Sequence, residues 1–239
     1  MYEMGRKKVL NLPAITFIAI GFMIGGGVFV FTGIVLKITG KSLPLAYGLA
    51  GIPVFISMLP LAMLGAAIPS TGASYKYPAR MVSPLMAFIA VWVYALTSFF
   101  GQIPLYALSC ATYAGFYLKG LPLQLTAAGI LTFFFIINVL GIRIAVIIQG
   151  VLVIILLSAL GIYAYRGIGV MEPGALTPII DASVTNIFLG MALLSFTYFG
   201  ANGIIELGGQ IKNPGRVIPW AFAMAFAVVG IVYVTIAVA

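Results

Sequence analysis

Ile24-Gly25-Gly26-Gly27-Val28-Phe29 lies in the middle of the first long apolar run, at the depth where a membrane-spanning helix is farthest from water. Glycine is the weakest ordinary helix former, and unwound backbone in hydrocarbon leaves N–H and C=O groups unsatisfied at several kcal/mol each. A break of this kind survives beside a cavity or a ligand, so the triplet reads as a binding site. The competing reading is close helix packing, because Gly21 and Gly25 form a small-xxx-small pair.

The rest of the chain agrees with a lipid setting. It is 63% hydrophobic and 7% charged, with a mean hydropathy of +1.22, whereas a soluble domain carries about a quarter charged residues. The single cysteine, Cys110, excludes an internal disulfide, and the absence of histidine excludes the usual zinc clusters and His-based triads. The chain is therefore not read as an enzyme, and no cofactor or metal is expected. Its net charge of +8 is scattered between apolar runs, which argues for topology signals rather than nucleic-acid binding. Arg6, Lys7 and Lys8 precede an apolar run from 13 to 36, longer than a signal-peptide core and without a clear cleavage site, so it reads as a retained span.

With about 20 apolar residues per helix, spans are expected near 14–37, 45–68, 84–117, 122–141, 143–166, 186–209 and 218–239. The fold class is an all-α integral membrane bundle of about seven helices. With the N-terminus cytoplasmic, the inner segments hold Arg6, Lys7, Lys8, Lys76, Arg80, Arg143, Lys212 and Arg216. The outer ones then hold only Lys37, Lys41, Lys119 and Arg166, which is the orientation the positive-inside rule favours. The long third span is expected to kink at Pro104. Residues 69–78 read as a cytoplasmic loop, followed by a short interfacial helix over 79–84. The longest polar connection, with Glu172, Pro173, Pro178 and Asp181, separates two structural units. Val238-Ala239 ends inside an apolar helix, and the chain is expected to be a fragment of a longer protein or a product cut short.

A second interruption falls in the sixth span, at Ser195-Phe-Thr-Tyr-Phe-Gly-Ala-Asn-Gly203. Interrupted helices at corresponding places in two halves are the sequence pointer to a transporter with inverted repeats and a central site. First and sixth positions imply a five-helix repeat: 1–167 as the first repeat, 168–185 as an extracellular connection, and 186–239 as the start of the second.

These residues also carry a family resemblance. Ile24-Gly-Gly-Gly-Val-Phe29, Ile68-Pro-Ser-Thr-Gly-Ala-Ser-Tyr-Lys-Tyr77, Asn138-Val-Leu-Gly-Ile-Arg143 with Gln149, and Tyr198-Phe-Gly-Ala-Asn202 running into Glu206-Leu-Gly-Gly-Gln-Ile-Lys-Asn-Pro-Gly-Arg-Val-Ile-Pro219 occur in order over nearly the whole chain. Together they resemble the amino acid-polyamine-organocation transporters, which share the leucine-transporter fold. The resemblance implies two inverted five-helix repeats, usually followed by two more helices, in a protein about twice this long. It also implies an eighth span, beyond this sequence, that helps line the substrate and a cation site. Met63 stands where relatives often carry a glutamate, Gly209 and Gln210 where they often carry acidic residues, and 144–165 lacks the lysine of some proton-coupled relatives.

A zwitterionic amino acid needs donors for its carboxylate and acceptors for its ammonium. The helix restarting near Val28 would aim free N–H groups, with about half a positive charge, at the carboxylate, making Ile24, Gly25, Gly26 and Gly27 candidates. The half-helix ending near Tyr198 would offer carbonyls to the ammonium, making Phe196, Tyr198, Phe199, Gly200 and Ala201 candidates. Asn202 either contacts substrate or satisfies freed backbone groups. Glu206, the one acidic residue within a span, would cost about 2.5–3.5 kcal/mol to insert charged; it is a candidate coupling or proton site, with a structural hydrogen-bonded carboxyl as the alternative. Tyr94, Thr97, Ser98 and Gln102 either line the cavity or join helices.

The function expected is that of a permease of the plasma membrane, multi-pass with a cytoplasmic N-terminus, carrying an amino acid or related amine by alternating access. H+ and Na+ both stand as the coupling ion, and the oligomeric state is left open. The alternatives are a non-transporting truncated subunit and, lacking any repeated filter sequence, an ion channel. No P-loop points to pumping by ATP hydrolysis.

Overall fold

The computed structural model describes residues 8–117, 120–171, 177–178 and 180–239. Arg6, Lys7, Lys119, Glu172 and Pro173, used above, lie outside the described residues. The chain forms helices α1 Leu12–Met23, α2 Gly27–Thr39, α3 Leu43–Ala67, α4 Ala73–Met81, α5 Pro84–Thr97, α6 Ile103–Tyr117, α7 Leu123–Val139, α8 Ile142–Gly169, α9 Val184–Ser195 and α10 Pro214–Val238. Their starts follow capping rules. The Asn11 side chain accepts from the Ala14 N–H at 3.1 Å ahead of α1, Ser183 accepts from Asn186 at 3.2 Å ahead of α9, and Pro214 occupies the first turn of α10.

Among the described residues, five helical stretches are long and apolar enough to cross a membrane: Gly27–Ala67, Pro84–Tyr117, Ile142–Gly169, Val184–Glu206 and Pro214–Val238. Leu12–Met23 and Leu123–Val139 are shorter apolar helices. The expected first span is thus drawn as two helices, and the sixth as α9 followed by tight 3-10 turns over Phe196–Tyr198, Ala201–Glu206 and Gly208–Gln210.

Two local expectations change. The short helix expected over 79–84 runs instead from Ala73 to Met81, because Gly72 takes the left-handed conformation (φ 75°, ψ 46°) and ends the turn-forming segment earlier. The bend expected at Pro104 is a π turn over Ser98–Gln102, in which the Ile103 N–H reaches back to the Ser98 carbonyl. Proline cannot donate to its own i−4 carbonyl, and the wider turn absorbs that lost bond.

The chain divides into two compact units. In one, comprising the described residues up to Thr71 together with Ile148–Ala239, α10 packs on α3 and α1, while α9 packs on α3 and α2. Its core is aromatic. Tyr47, Tyr198, Tyr233 and Phe222 are its largest fully buried side chains, and Phe55 lies 5.2 Å edge-on to Phe226. The connection after α8 is tied down by Ser42, whose Oγ accepts from the N–H groups of Asp181 and Ala182 at 2.9 and 3.1 Å. In the other unit, Gly72–Ile147, α4 packs on α5 and α6 on α7. A buried cluster there is formed by Ala107, Ala111 and Ala127, and apolar side chains such as Phe100 (81% exposed) point outward. Apolar residues all round a helix suit lipid or a larger membrane bundle.

Candidate functional site

The first interruption is built by Ile24, whose dihedrals (φ −81°, ψ 83°) are those of an inverse γ-turn. Its own N–H still closes α1 on the Ile20 carbonyl at 2.8 Å, and the Gly25 N–H then folds back on the Met23 carbonyl at 2.9 Å. α2 begins immediately afterwards, and no side chain caps it. By helix geometry the N–H groups of its first turn have no intrahelical acceptor.

At the second interruption α9 tightens into the Phe196–Tyr198 turn, Phe199 goes extended (φ −69°, ψ 151°), and Gly200 takes φ 128°. Gly200 is required there on two grounds. L side chains rarely adopt that dihedral, and a Cβ would fall 2.6 Å from the Phe22 carbonyl carbon and nearer still to its oxygen. The backbone of the second interruption therefore rests on the last turn of α1. Gly203 lies on the Phe22 ring, and a Cβ on Gly27 would meet Phe196 and Thr197 at 3.8 Å each. The two glycine-rich segments, far apart in the chain, share one place in the same unit.

The candidates divide by exposure. Ile24, Tyr198 and Ala201 are buried; Gly25, Gly27, Gly200, Asn202 and Glu206 are half-buried; Gly26, Phe196 and Phe199 are exposed. Phe196 is 60% exposed and its ring lies 5.6 Å from Phe31. Tyr198, at 1% exposure, donates to the Tyr47 carbonyl at 3.0 Å and stacks beside Phe226 at 6.2 Å. Glu206 ends a turn that packs on α1, α3 and α10. In the other unit, Thr97 bonds to its own helix at the Val93 and Tyr94 carbonyls, and Ser98 Oγ is buried with no hydrogen-bond partner.

The carbonyls at the end of α9 are partly claimed. Leu194 C=O accepts from Thr197 Oγ1 at 2.6 Å and Phe196 C=O from the Phe199 N–H at 3.3 Å. Thr197 C=O accepts from the Tyr233 hydroxyl at 3.1 Å. Leu194 C=O also receives the Phe196 N–H, whereas the Phe196 and Thr197 carbonyls each have a second lone pair that a ligand could use. Tyr47, Thr32 and Tyr233 escaped the sequence reading: the Thr32 and Tyr47 hydroxyls pair at 2.5 Å, and Tyr233 reaches both interruptions. The available signal was a phenol in the apolar body of α10, since a buried tyrosine hydroxyl finds a partner. A groove of about 620 Å³ between α3 and α10, which Tyr198 lines together with Gly48, Gly51, Phe55, Phe226 and Gly230 among others, has no charged lining residue and offers little to a zwitterion.

Residues 14–239 match the family described as amino acid permease. The chain is 27% identical to an uncharacterized transporter of Mycobacterium tuberculosis (strain ATCC 25618 / H37Rv), over 98% of this chain and 52% of that protein. It is 25% identical to a branched-chain amino acid permease of Bacillus subtilis (strain 168), over 98% of this chain and 54% of that one. It is 24% identical to a low-affinity putrescine importer of Escherichia coli (strain K12), over 95% and 52%. The chain spans about half the length of these curated relatives. With the family match running over nearly all of its length, the chain belongs to the amino acid permease family of the amino acid-polyamine-organocation superfamily.

Proposed function

We propose that the whole protein is a secondary transporter that carries an amino acid or a related amine across the plasma membrane by alternating access. The observation that carries this reading is the meeting of the two interruptions, with Gly27 beside Phe196 and Thr197 and Gly200 on the last turn of α1. A carboxylate is held by the N–H groups of Gly26 and Gly27, with Gly25, whose own N–H is turned onto the Met23 carbonyl, beside them and no side chain standing between ligand and backbone. The ammonium is taken by carbonyls of the Phe196–Ala201 segment, with Asn202 beside them and Phe196 and Phe199 flanking the ligand. Relatives named for a branched-chain amino acid and for putrescine support a small amine-bearing substrate.

In this reading α1 with α2 forms one broken span and α9 with its 3-10 turns another, giving seven spans with the N-terminus in the cytoplasm. Residues 1–167 form one repeat and 186–239 the start of its inverted partner. Binding energy, not covalent chemistry, does the work: the ligand favours whichever state brings the two interruptions together. Glu206 is the residue proposed to sense a coupling proton.

Uptake into proteoliposomes tests the reading. Labelled leucine and labelled putrescine are offered separately, each with unlabelled competitor. Saturable, competed uptake that disappears in Gly26→Leu is the expected result, because a branched side chain at Gly26 fills the space beside the carboxylate donors. Unsaturable ion current, or full uptake by Gly26→Leu, refutes it.

A further inference from the structure

We propose that Tyr233 is the positioning residue that locks the two interruptions to each other. Its hydroxyl lies 3.1 Å from the Met23 carbonyl and 3.1 Å from the Thr197 carbonyl, and donates to both. A phenol has one hydrogen to give, so the two oxygens share it. Met23 ends α1 and Thr197 lies in the turn that ends α9, so two helix C-termini aim their partial negative charge at one point. Left alone, these ends repel. The shared hydrogen sits between them and offsets that repulsion.

The placement is rigid. Tyr233 is fully buried, with the Tyr47 ring 5.3 Å and the Tyr198 ring 5.1 Å away. A phenol ring has only two side-chain torsions, and packing fixes both, so α10 sets where the hydroxyl stands. Burying a tyrosine requires one acceptor; this one takes an acceptor from each interruption. Met23 C=O also receives the Gly25 N–H at 2.9 Å, so the same oxygen joins the clamp to the γ-turn that precedes the α2 donors.

The clamp itself stands on hydrogen-bond geometry, and only its effect on uptake rests on the transport reading. The test compares Tyr233→Phe with the unmodified protein and with Thr235→Val. Thr235 belongs to the same helix, but among the described residues its hydroxyl bonds to Ile231 C=O, at 2.6 Å, within that helix. The phenylalanine keeps the ring packing and removes one oxygen. Amide hydrogen exchange in lipid nanodiscs is followed by mass spectrometry in peptides covering 22–29 and 197–203. In Tyr233→Phe, exchange should rise about threefold to tenfold in both peptides together, the scale of one lost hydrogen bond, and stay unchanged in Thr235→Val. Exchange that is unchanged, or raised in only one peptide, overturns the clamp. In uptake, the Tyr233→Phe apparent KM should rise by a similar factor while the maximal rate per folded molecule stays within about twofold; an unchanged KM overturns the positioning role. If the unmodified protein takes up neither leucine nor putrescine, the transport reading fails and the exchange comparison alone decides the clamp.

Discussion

Replacing Gly200 by alanine tests the closest backbone contact of the site. The added methyl faces two costs. The first is the dihedral: φ 128° with ψ −32° lies where L residues are strained, at about 1–3 kcal/mol. The second is steric. The Cβ would stand 2.6 Å from the Phe22 carbonyl carbon and 3.1 Å from the Met23 nitrogen, and these are backbone atoms of a helix packed on α10, with no rotamer to change. Overpacking of this kind costs about 1–3 kcal/mol, so the sum is about 2–6 kcal/mol, a large share of the roughly 5–15 kcal/mol of a folded domain. Gly203→Ala is the internal control. The atoms nearest its methyl are those of the Phe22 ring, at 2.7 Å, and a half-exposed side chain yields more readily than backbone, so about 1 kcal/mol is expected. Thermal unfolding in one detergent, read by tryptophan fluorescence and by monodispersity, should place Gly200→Ala at least about 2 °C below Gly203→Ala, taking about 2–4 °C per kcal/mol. Equal melting temperatures, or a Gly203→Ala protein that melts lower, would refute the backbone-contact reasoning.

Three further substitutions probe separate parts of the same unit. Ser42→Ala removes the acceptor for the Asp181 and Ala182 N–H groups; a loss of about 1–3 kcal/mol is expected, measured by unfolding and by faster proteolysis of the connection after α8. Tyr198→Phe leaves the buried Tyr47 carbonyl without its 3.0 Å donor while keeping the ring, so a stability loss of about 1 kcal/mol is expected from denaturant unfolding. Phe196→Ala removes a ring that is 60% exposed, so unfolding should shift by no more than about 1–2 kcal/mol, while uptake per folded molecule falls clearly if the ring flanks the ligand.

What the sequence disclosed was carried by residues whose backbone cost is high wherever they stand. Gly25-Gly26-Gly27 and Gly200-Ala-Asn-Gly203 cannot continue a helix cheaply, so both interruptions were legible before any coordinate. The apolar stretches from Pro84 and from Ile142 were legible too, because length and composition suffice to recognise them. The Ala73–Met81 helix was not, since prolines at 69 and 78 and Gly72 mark turns by composition, and only the Gly72 dihedral shows where the turning stops. Tyr233 and Tyr47 were missed for a different reason. Which carbonyl a phenol meets depends on how α3, α9 and α10 cross, and one helix's periodicity carries no record of its neighbours' register.

Burial then sorts the site into two kinds of residue. Gly200, Tyr198 and Tyr233 lie against other protein atoms, and the geometry of the interruptions depends on them even if no ligand ever touches them. Gly26, Phe196 and Phe199 lie open, and in the proposed reading they are the ones that meet a ligand. Had the glycine triplet served only close helix packing, Gly26 would be expected to lie against a neighbouring helix, as Gly200 lies against Phe22; instead it is exposed, directly ahead of the uncapped N–H groups of α2. The packing explanation therefore fits Gly200 and Gly203, which a Cβ would drive into Phe22, and Gly21, where it would run into Gln149 and Val153; for the exposed Gly26 the proposed ligand is the explanation offered.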